Sequence, residues 1–233
     1  MHLSVIIATL NKPATACRLA ERARELFPDL AIEVIIVTPA GVRCPDAPSF
    51  VRHVVDEGRG VYQAYKAGLR VARGEYVWFV GDDDYPLDAA KELAAHVTEG
   101  VSDVLAAPVF FSSGRLYRPT RSRVLLLFLN WCQQGVLYRR RVLERHRFYR
   151  RMRVAADWYV NVLLRADPAL RIDYLANAIC LFGLQGLSGR ESDRSYRNLR
   201  PALAHRTLRP SAFLVFRALH VVEPLARYFV KIR

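Results

Sequence analysis

Residues 56–86 read DEGRGVYQAYKAGLRVARGEYVWFVGDDDYP, and the change of period inside this stretch decides the fold. From Gly60 to Ala72, the residues Tyr62, Ala64, Tyr65, Gly68, Leu69 and Ala72 fall on one face of a helix. Tyr76 to Val80 is a short continuous apolar run, the pattern of a strand buried on both faces of a parallel sheet. Gly81 breaks the run and Asp82, Asp83 and Asp84 follow it. Adjacent carboxylates raise one another's pKa and repel unless a cation neutralises them. A hard divalent ion, bound by one or two carboxylates together with substrate phosphates, is the usual solution. A solvated acidic turn leading into a helix with Pro86 in its first turn explains the same residues, and the motif alone leaves the two readings level.

The pattern repeats on the N-terminal side. Leu3 to Ala8 (LSVIIA) and Ile32 to Val37 (IEVIIV) are buried-strand runs, and Phe50 to Val55 is a shorter third. Ala14 to Leu26 places Leu19, Ala20, Ala23 and Leu26 at helical spacing, and Phe27-Pro28-Asp29 stops it. Pro39, Gly41 and Pro45 mark a loop. Strands and helices alternating at these intervals predict a parallel, doubly wound α/β half. In such sheets ligands bind outside the carboxyl ends of the strands, which places Thr9 to Asn11, Thr38, Asp56 and Asp82 to Asp84 along one rim. Further on, the sequence predicts a helix over Leu87–Val97, a strand over Val104–Val109, and a hairpin turn at Ser112-Ser113-Gly114. An amphipathic segment over Val124–Trp131, a strand over Gln134–Tyr138 and a helix over Ala155–Arg165 follow.

Of the 233 residues slightly more than half are apolar, and no low-complexity linker interrupts them, so one sizeable core is expected. The formal charge of +13 is carried almost wholly by arginine, with lysine only at Lys12, Lys66, Lys91 and Lys231. An excess of that size implies an anionic partner: nucleic acid, nucleotide phosphates or an anionic membrane surface. Twelve of the arginines lie between Arg115 and Arg153 among few acids. Cys17, Cys44, Cys132 and Cys180 show no CxxC spacing and read as reduced thiols, neither a zinc site nor a redox motif. No signal peptide is expected, and no apolar run approaches the roughly 20 residues needed to span a bilayer. A cytoplasmic protein, free or peripheral on the cytoplasmic face of the membrane, is the expectation. From Ser211 to Arg233 the charged residues Arg217, His220, Glu223, Arg227 and Lys231 recur at steps of three and four amid apolar ones. That is an interfacial membrane helix, or a helix packed on the protein body or on a second subunit as a homodimer, bent in either case by Pro224.

Four segments together resemble the family 2 glycosyltransferases: SVIIATLNK, EVIIV, the 56–86 stretch, and QQGVLYRR followed by FYRRMRVAADWYVNVLLRA. The resemblance covers residues 3–184. It implies a GT-A fold, a nucleotide-binding α/β sandwich with a mostly parallel central sheet. A single catalytic domain over 1–208 is expected, divided into a nucleotide-sugar half (1–110) and an acceptor half (111–208), with a helical extension over 209–233. It also implies an inverting, metal-dependent transfer of one sugar from a nucleotide-diphosphate sugar, a UDP-sugar foremost, to a glycan or lipid-linked acceptor in cell-surface polysaccharide assembly. Residue by residue, Asp83 and Asp84 become the core of the metal motif, with Asp84 the direct ligand of Mg²⁺ or Mn²⁺ and Asp82 a neighbour that deepens the negative potential. Asp56 contacts the nucleoside, Thr9 and Asn11 line the base or ribose pocket, and Arg59 and Lys66 are placed to meet phosphate. For Arg59 and Lys66, plain surface charge is the competing account.

Asp157 becomes the general base, and burial beside Trp158 and Tyr159 is expected to raise its pKa above the usual value of about 3.9. An N-cap of the helix that follows is the structural alternative. The chain departs from the family pattern at Thr38, where an Asp is common, at Lys66, where Asn is frequent, and at Gln133 or Cys132, in place of a His. None of the six histidines is assigned a catalytic role. Two other functions fit parts of the sequence: a basic, non-catalytic nucleic-acid-binding protein and a nucleotidyltransferase on a similar core. Against the first, the arginines are not interleaved with stacking aromatics, so no nucleic acid is expected. Against the second, the Gly-rich, Lys-containing phosphate loop is absent near the first strand.

Overall fold

The computed structural model describes residues 1–44, 47–148, 152–183 and 194–230. Pro45, Arg150, Arg151 and Lys231, and the side chains of Pro224 and Arg227, lie outside what is described. Strand β1 (Leu3–Ala8) pairs in parallel with β2 (Ile32–Pro39) on one side and β4 (Tyr76–Gly81) on the other, and β2 pairs in parallel with β3 (Val51–Asp56). Strand β9 (Val136–Arg139) lies antiparallel between β4 and β6 (Val104–Ala106), and β10 (Ile172–Tyr174) closes the edge, parallel to β6. The seven-stranded order is β10-β6-β9-β4-β1-β2-β3. The chain therefore winds outward from β1 through β2 to β3 and returns to the other side of β1, so the reversal lies between β1 and β4.

Both faces of this sheet are covered, which is why its central strands are apolar without alternation. Leu3, Val5 and Ile7 of β1 pack with α1 (Pro13–Leu26) and α3 (Glu92–Glu99). Ile6 and Ala8 pack on the other side, with Tyr65 of α2 (Val61–Val71) and Trp158 of α6 (Ala156–Ala166). A second sheet of four short strands has the order β5-β11-β7-β8, formed by Tyr85–Pro86, Cys180–Phe182, Val109–Phe111 and Leu116–Tyr117 respectively. Strands β7 and β8 are the antiparallel hairpin expected around Ser112-Ser113-Gly114.

Three expected elements take a different form. The strand expected over Val104–Val109 is two strands in different sheets, because Pro108 has no N–H to continue the ladder and its carbonyl instead accepts from the Ile179 amide at 3.1 Å. The helix expected from Leu87 begins as a 3₁₀ turn, Asp88–Lys91, before α3. Of the amphipathic segment Val124–Trp131 only α4 (Arg123–Leu126) is regular helix. Its carbonyls at Leu126 and Leu127 accept from the Trp158 indole (2.8 Å) and the Tyr196 hydroxyl (3.2 Å). The four cysteines are free thiols. Helix α5 (Arg140–Arg145) follows β9, and among the described residues two helices lie toward the C-terminus: α7 (Arg194–Thr207) and α8 (Pro210–Val230). No helix among the described residues is long and apolar enough to cross a membrane.

Gly74, in the tight turn from α2 into β4, sets the distance between the two. Its amide donates to the buried Ser4 hydroxyl at 2.8 Å, and a Cβ built on it would lie 2.4 Å from the Ser4 backbone nitrogen. Backbone on both sides leaves nothing to rotate away. Gly74→Ala is expected to destabilise the fold by about 3 kcal/mol, read as a lower denaturant midpoint at unchanged slope; a midpoint equal to that of the parent would contradict the packing.

Candidate active site

The point where the winding reverses in an open α/β sheet leaves a crevice at the carboxyl ends of two adjacent parallel strands. Here these are β1 and β4, and their ends are tied together by side chains. Thr9, just past β1, donates its hydroxyl to Asp82 Oδ2 at 2.7 Å and accepts from the Lys12 amide at 3.0 Å. The Lys12 ammonium stands 3.4 Å from Asp82 Oδ1. Asp82 is thus held by two partners, whereas Asn11 is exposed in the same loop.

Asp84 is only 4% exposed. Its Oδ2 accepts from the Gly81 amide (2.7 Å) and its Oδ1 from the Gly183 amide (3.1 Å). Burial and then the neighbouring Asp83 charge push its pKa up to about 7, against the hydrogen bonds from Gly81, Gly183 and the Gln134 side chain. Gly183 follows β11, and a Cβ there would meet the Asp83 carbonyl oxygen at 2.3 Å and its Oδ2 at 2.6 Å, so only glycine lets the small sheet close on the acids.

Asp157 comes from the other half of the chain and is also 4% exposed. It is not the N-cap of α6: Ala155 takes that position, at φ 60°, and Asp157 lies in the first turn. Its carboxylate is gripped on both sides, Oδ1 by the Tyr62 hydroxyl of α2 (2.5 Å) and Oδ2 by the Asn130 amide (2.6 Å). Behind Asn130 the chain of donors continues, from Asn161 Nδ2 to Asn130 Oδ1 (3.1 Å) and from the Tyr138 hydroxyl to Asn161 Oδ1 (2.8 Å). Burial raises the Asp157 pKa, and the Tyr62 and Asn130 hydrogen bonds take back part of that rise.

The two acid groups have neighbours in common. The buried Tyr65 hydroxyl is pushed well above its ordinary range by burial and then by the charges of Asp84, Asp157 and Asp83. The Cys132 thiol is pushed up by burial and by Asp157 and Asp84 together. Gln133 and Gln134, in a buried turn before β9, add a polar wall where Nε2 of Gln133 and Oε1 of Gln134 have no hydrogen-bond partner among the described residues. Among the described residues no group of three or more His, Cys, Asp or Glu side chains is arranged to hold a metal ion. The hard carboxylate oxygens at Asp84 nevertheless suit a cation whose remaining ligands come from substrate phosphates.

The other residues singled out from sequence are placed unevenly. Thr38, at the end of β2, is buried; its hydroxyl donates to the Val42 carbonyl at 2.8 Å and lies 2.8 Å from His53 Nε2. Asp56 ends β3 opposite Pro39, half-buried on the same rim. Arg59 is exposed and ion-paired with Glu57 at 3.1 Å, which favours the surface-charge account. Lys66 is half-buried on α2, next to Tyr65. Tyr62, Asn130, Gln134 and Gly183 were not singled out as site residues. For Tyr62 a signal existed: a tyrosine on the inner face of a helix must find a partner for its hydroxyl.

The chain matches the family model described as glycosyl transferase family 2 over residues 45–161, a segment that contains Asp56, Asp82 to Asp84, Asn130 and Asp157. It is 28% identical to a protein named PGL/p-HBAD biosynthesis glycosyltransferase from Mycobacterium bovis and from Mycobacterium tuberculosis, over 92% of this chain and 90% of that relative. Among solved structures it resembles Staphylococcus aureus TarS 1–349 in complex with UDP-GlcNAc, with a TM-score of 0.71 at 20% identity over 95% of this chain and 72% of that one. It also resembles a mycobacterial protein, with a TM-score of 0.55 at 17% identity over 88% and 74% of the two chains. With half of its length matched to the family model, and with the α/β architecture of these structures, the chain belongs to the family 2 glycosyltransferases and is a sugar-transferring enzyme with a GT-A-type fold.

Proposed function

We propose that this enzyme is an inverting, metal-dependent glycosyltransferase that moves one sugar from a UDP-sugar to a glycan or lipid-linked acceptor, at the cytoplasmic face of a membrane and in cell-surface polysaccharide assembly. Residues 1–208 form its single catalytic domain, with the donor on the 1–110 half and the acceptor on the 111–208 half. The observation that carries the reading is the pairing of two buried carboxylates from different halves, Asp84 and Asp157, whose charges both reach Tyr65 and Cys132. The UDP-GlcNAc bound in the TarS structure supports a UDP-sugar as donor.

The donor diphosphate lies at the ends of β1 and β4, with the nucleoside toward Thr9, Asn11 and Asp56. Asp84, with Asp83 beside it, holds Mg²⁺ or Mn²⁺, and Asp82 adds negative potential while tied to Thr9 and Lys12. The ion, when bound, supplies Lewis-acid stabilisation of the charge that develops on the departing diphosphate. Asp157 accepts the proton of the acceptor hydroxyl. The acceptor oxygen then bonds to the anomeric carbon on the face opposite the diphosphate, as the carbon–phosphate-oxygen bond breaks and its electron pair leaves with the nucleotide. Tyr62 and Asn130, one on each carboxylate oxygen, hold the Asp157 carboxylate in orientation.

Two tests follow. Asp157→Asn is expected to lower turnover by about 10²- to 10⁴-fold while UDP binding stays unchanged, and full turnover in that variant would remove the base assignment. Tyr62→Phe deletes a hydrogen bond that lowers the Asp157 pKa, so the acidic limb of its kcat/KM profile moves to higher pH; an unmoved limb would contradict the contact. For the donor side, Asp84 must be ionised to hold a cation. Mn²⁺-dependent UDP affinity, measured by calorimetry, should therefore fall about tenfold per pH unit below about 7 and level off above it, and a flat profile from pH 5 to 8 would sink Asp84 as the ligand.

A further inference from the structure

We propose that the outward face of α8 is a docking surface for an anionic lipid bilayer. The inward face of this helix is already packed. Phe216 is buried against Phe128, with ring centroids 5.5 Å apart, His220 stacks on Phe216, and Glu223 is ion-paired with the buried Arg200. The opposite side exposes Leu214, Val215, Ala218, Leu219, Val221 and Val222, with Leu214 at 71% and Val221 at 69% exposure. At the helical repeat these six positions share an arc of about 160°. A surface helix is expected to turn polar residues outward; this one is apolar on both sides.

The charge around that arc selects the occupant. Arg217 borders it, and His205, Arg206 and Arg209 are exposed at the corner between α7 and α8. The one acid in the α8 sequence, Glu223, is committed to Arg200. Exposed apolar residues flanked by cations form the composition of a helix that lies in the headgroup layer. A second copy docking through the same face would set these cations against their own kind on a chain of net charge +13, so the complementary surface is anionic lipid. The segment under α8 also exposes apolar side chains, Leu125 and Leu129, on either side of Phe128 in the sequence. Asn130, two residues beyond Phe128, holds Asp157. Docked helix and proposed base thus hang on one short segment, which suits the lipid-linked acceptor proposed above. That benefit rests on the proposed function; the docking itself does not, and is measured without donor or acceptor.

The test is co-sedimentation of the full chain with vesicles of equimolar phosphatidylglycerol and phosphatidylcholine, or of phosphatidylcholine alone. Two variants are compared: Leu214→Gln with Val221→Gln and Val222→Gln, and Arg206→Gln with Arg209→Gln and Arg217→Gln. All of these side chains are exposed, and an unchanged melting curve verifies the fold. The parent chain should bind the anionic vesicles and not the neutral ones, and each variant should bind them about tenfold more weakly or worse. A parent chain that stays in the supernatant overturns the proposal, as does a variant that binds as the parent does. A parent dimer in sedimentation velocity that the first variant dissociates also overturns it, in favour of a second copy on the face.

Discussion

Two backbone amides, those of Gly81 and Gly183, converge on the buried carboxylate of Asp84, and the joint between the two sheets depends on them. Gly81 ends β4 of the large sheet, Gly183 follows β11 of the small one, and β5 starts at Tyr85, directly after Asp84. The carboxylate is therefore the point at which both sheets are pinned. The arrangement is costly. A pKa moved from 3.8 to about 7 means that ionising Asp84 in the fold is about 4 kcal/mol harder than in the unfolded chain. Between about pH 4 and 7 the folded chain keeps a proton that the unfolded chain has lost, so stability falls as pH rises through that window. An ion or cationic group that neutralised Asp84 would recover that energy.

Asp157 solves the same problem of burial by different means. Asp84 is met by two backbone amides and the Gln134 side chain, beside a second carboxylate; Asp157 is met by the side chains of Tyr62 and Asn130 along with its own helix's backbone, and a file of side-chain donors stands behind Asn130. Backbone amides cannot turn away, so Asp84 is fixed in place. Side-chain donors fix orientation while leaving the carboxylate able to take up and release a proton, since a Tyr hydroxyl and an Asn amide tolerate small displacements that a strand does not. The two carboxylates, alike in exposure, are thus held in the manner each proposed role requires: a rigid anchor at the donor side and an oriented acceptor of a proton at the other.

How much of this was readable in advance follows from how local each feature is. The strands β1, β2 and β4 are legible as LSVIIA, IEVIIV and YVWFV because helices cover both faces, and the turn acids are legible because they follow the last of these runs. Asp157 was reached through the resemblance, not through its spacing. Tyr62, Asn130, Gln134 and Gly183 escaped notice because each acquires its role only from a contact distant in sequence, such as the 95 residues between Tyr62 and Asp157. Density of charge misleads for a related reason. The arginines at 139–141 sit in the stretch read as acceptor-binding, yet β9 runs antiparallel to β4 and sets Arg139 beside Tyr76, at the end of the sheet opposite Asp84. There Arg139 pairs with Glu75, Arg140 with Glu144 and Arg141 with Asp103.

Arg200 shows why the orientation of α8 is not left to apolar packing alone. A helix that is greasy on both sides gains nearly as much by burying either one, so hydrophobic burial by itself does not choose. Arg200 is 1% exposed, its guanidinium 4.8 Å from the centre of the Phe128 ring and 4.6 Å from that of Tyr196. Two aromatic faces attract the cation but do not neutralise it, and its Nε and Nη2 have no hydrogen-bond partner among the described residues. A buried charge left in that state costs several kcal/mol. The acid within reach on α8 is Glu223, which lies on the stripe with Phe216 and His220. Rotating the helix to bury Leu214 and Val221 instead would carry Glu223 out and strand the guanidinium. A buried ion pair adds little net stability, but it separates two packings that apolar contacts leave nearly equal, and here it is what keeps the face with Leu214, Val221 and Val222 turned outward.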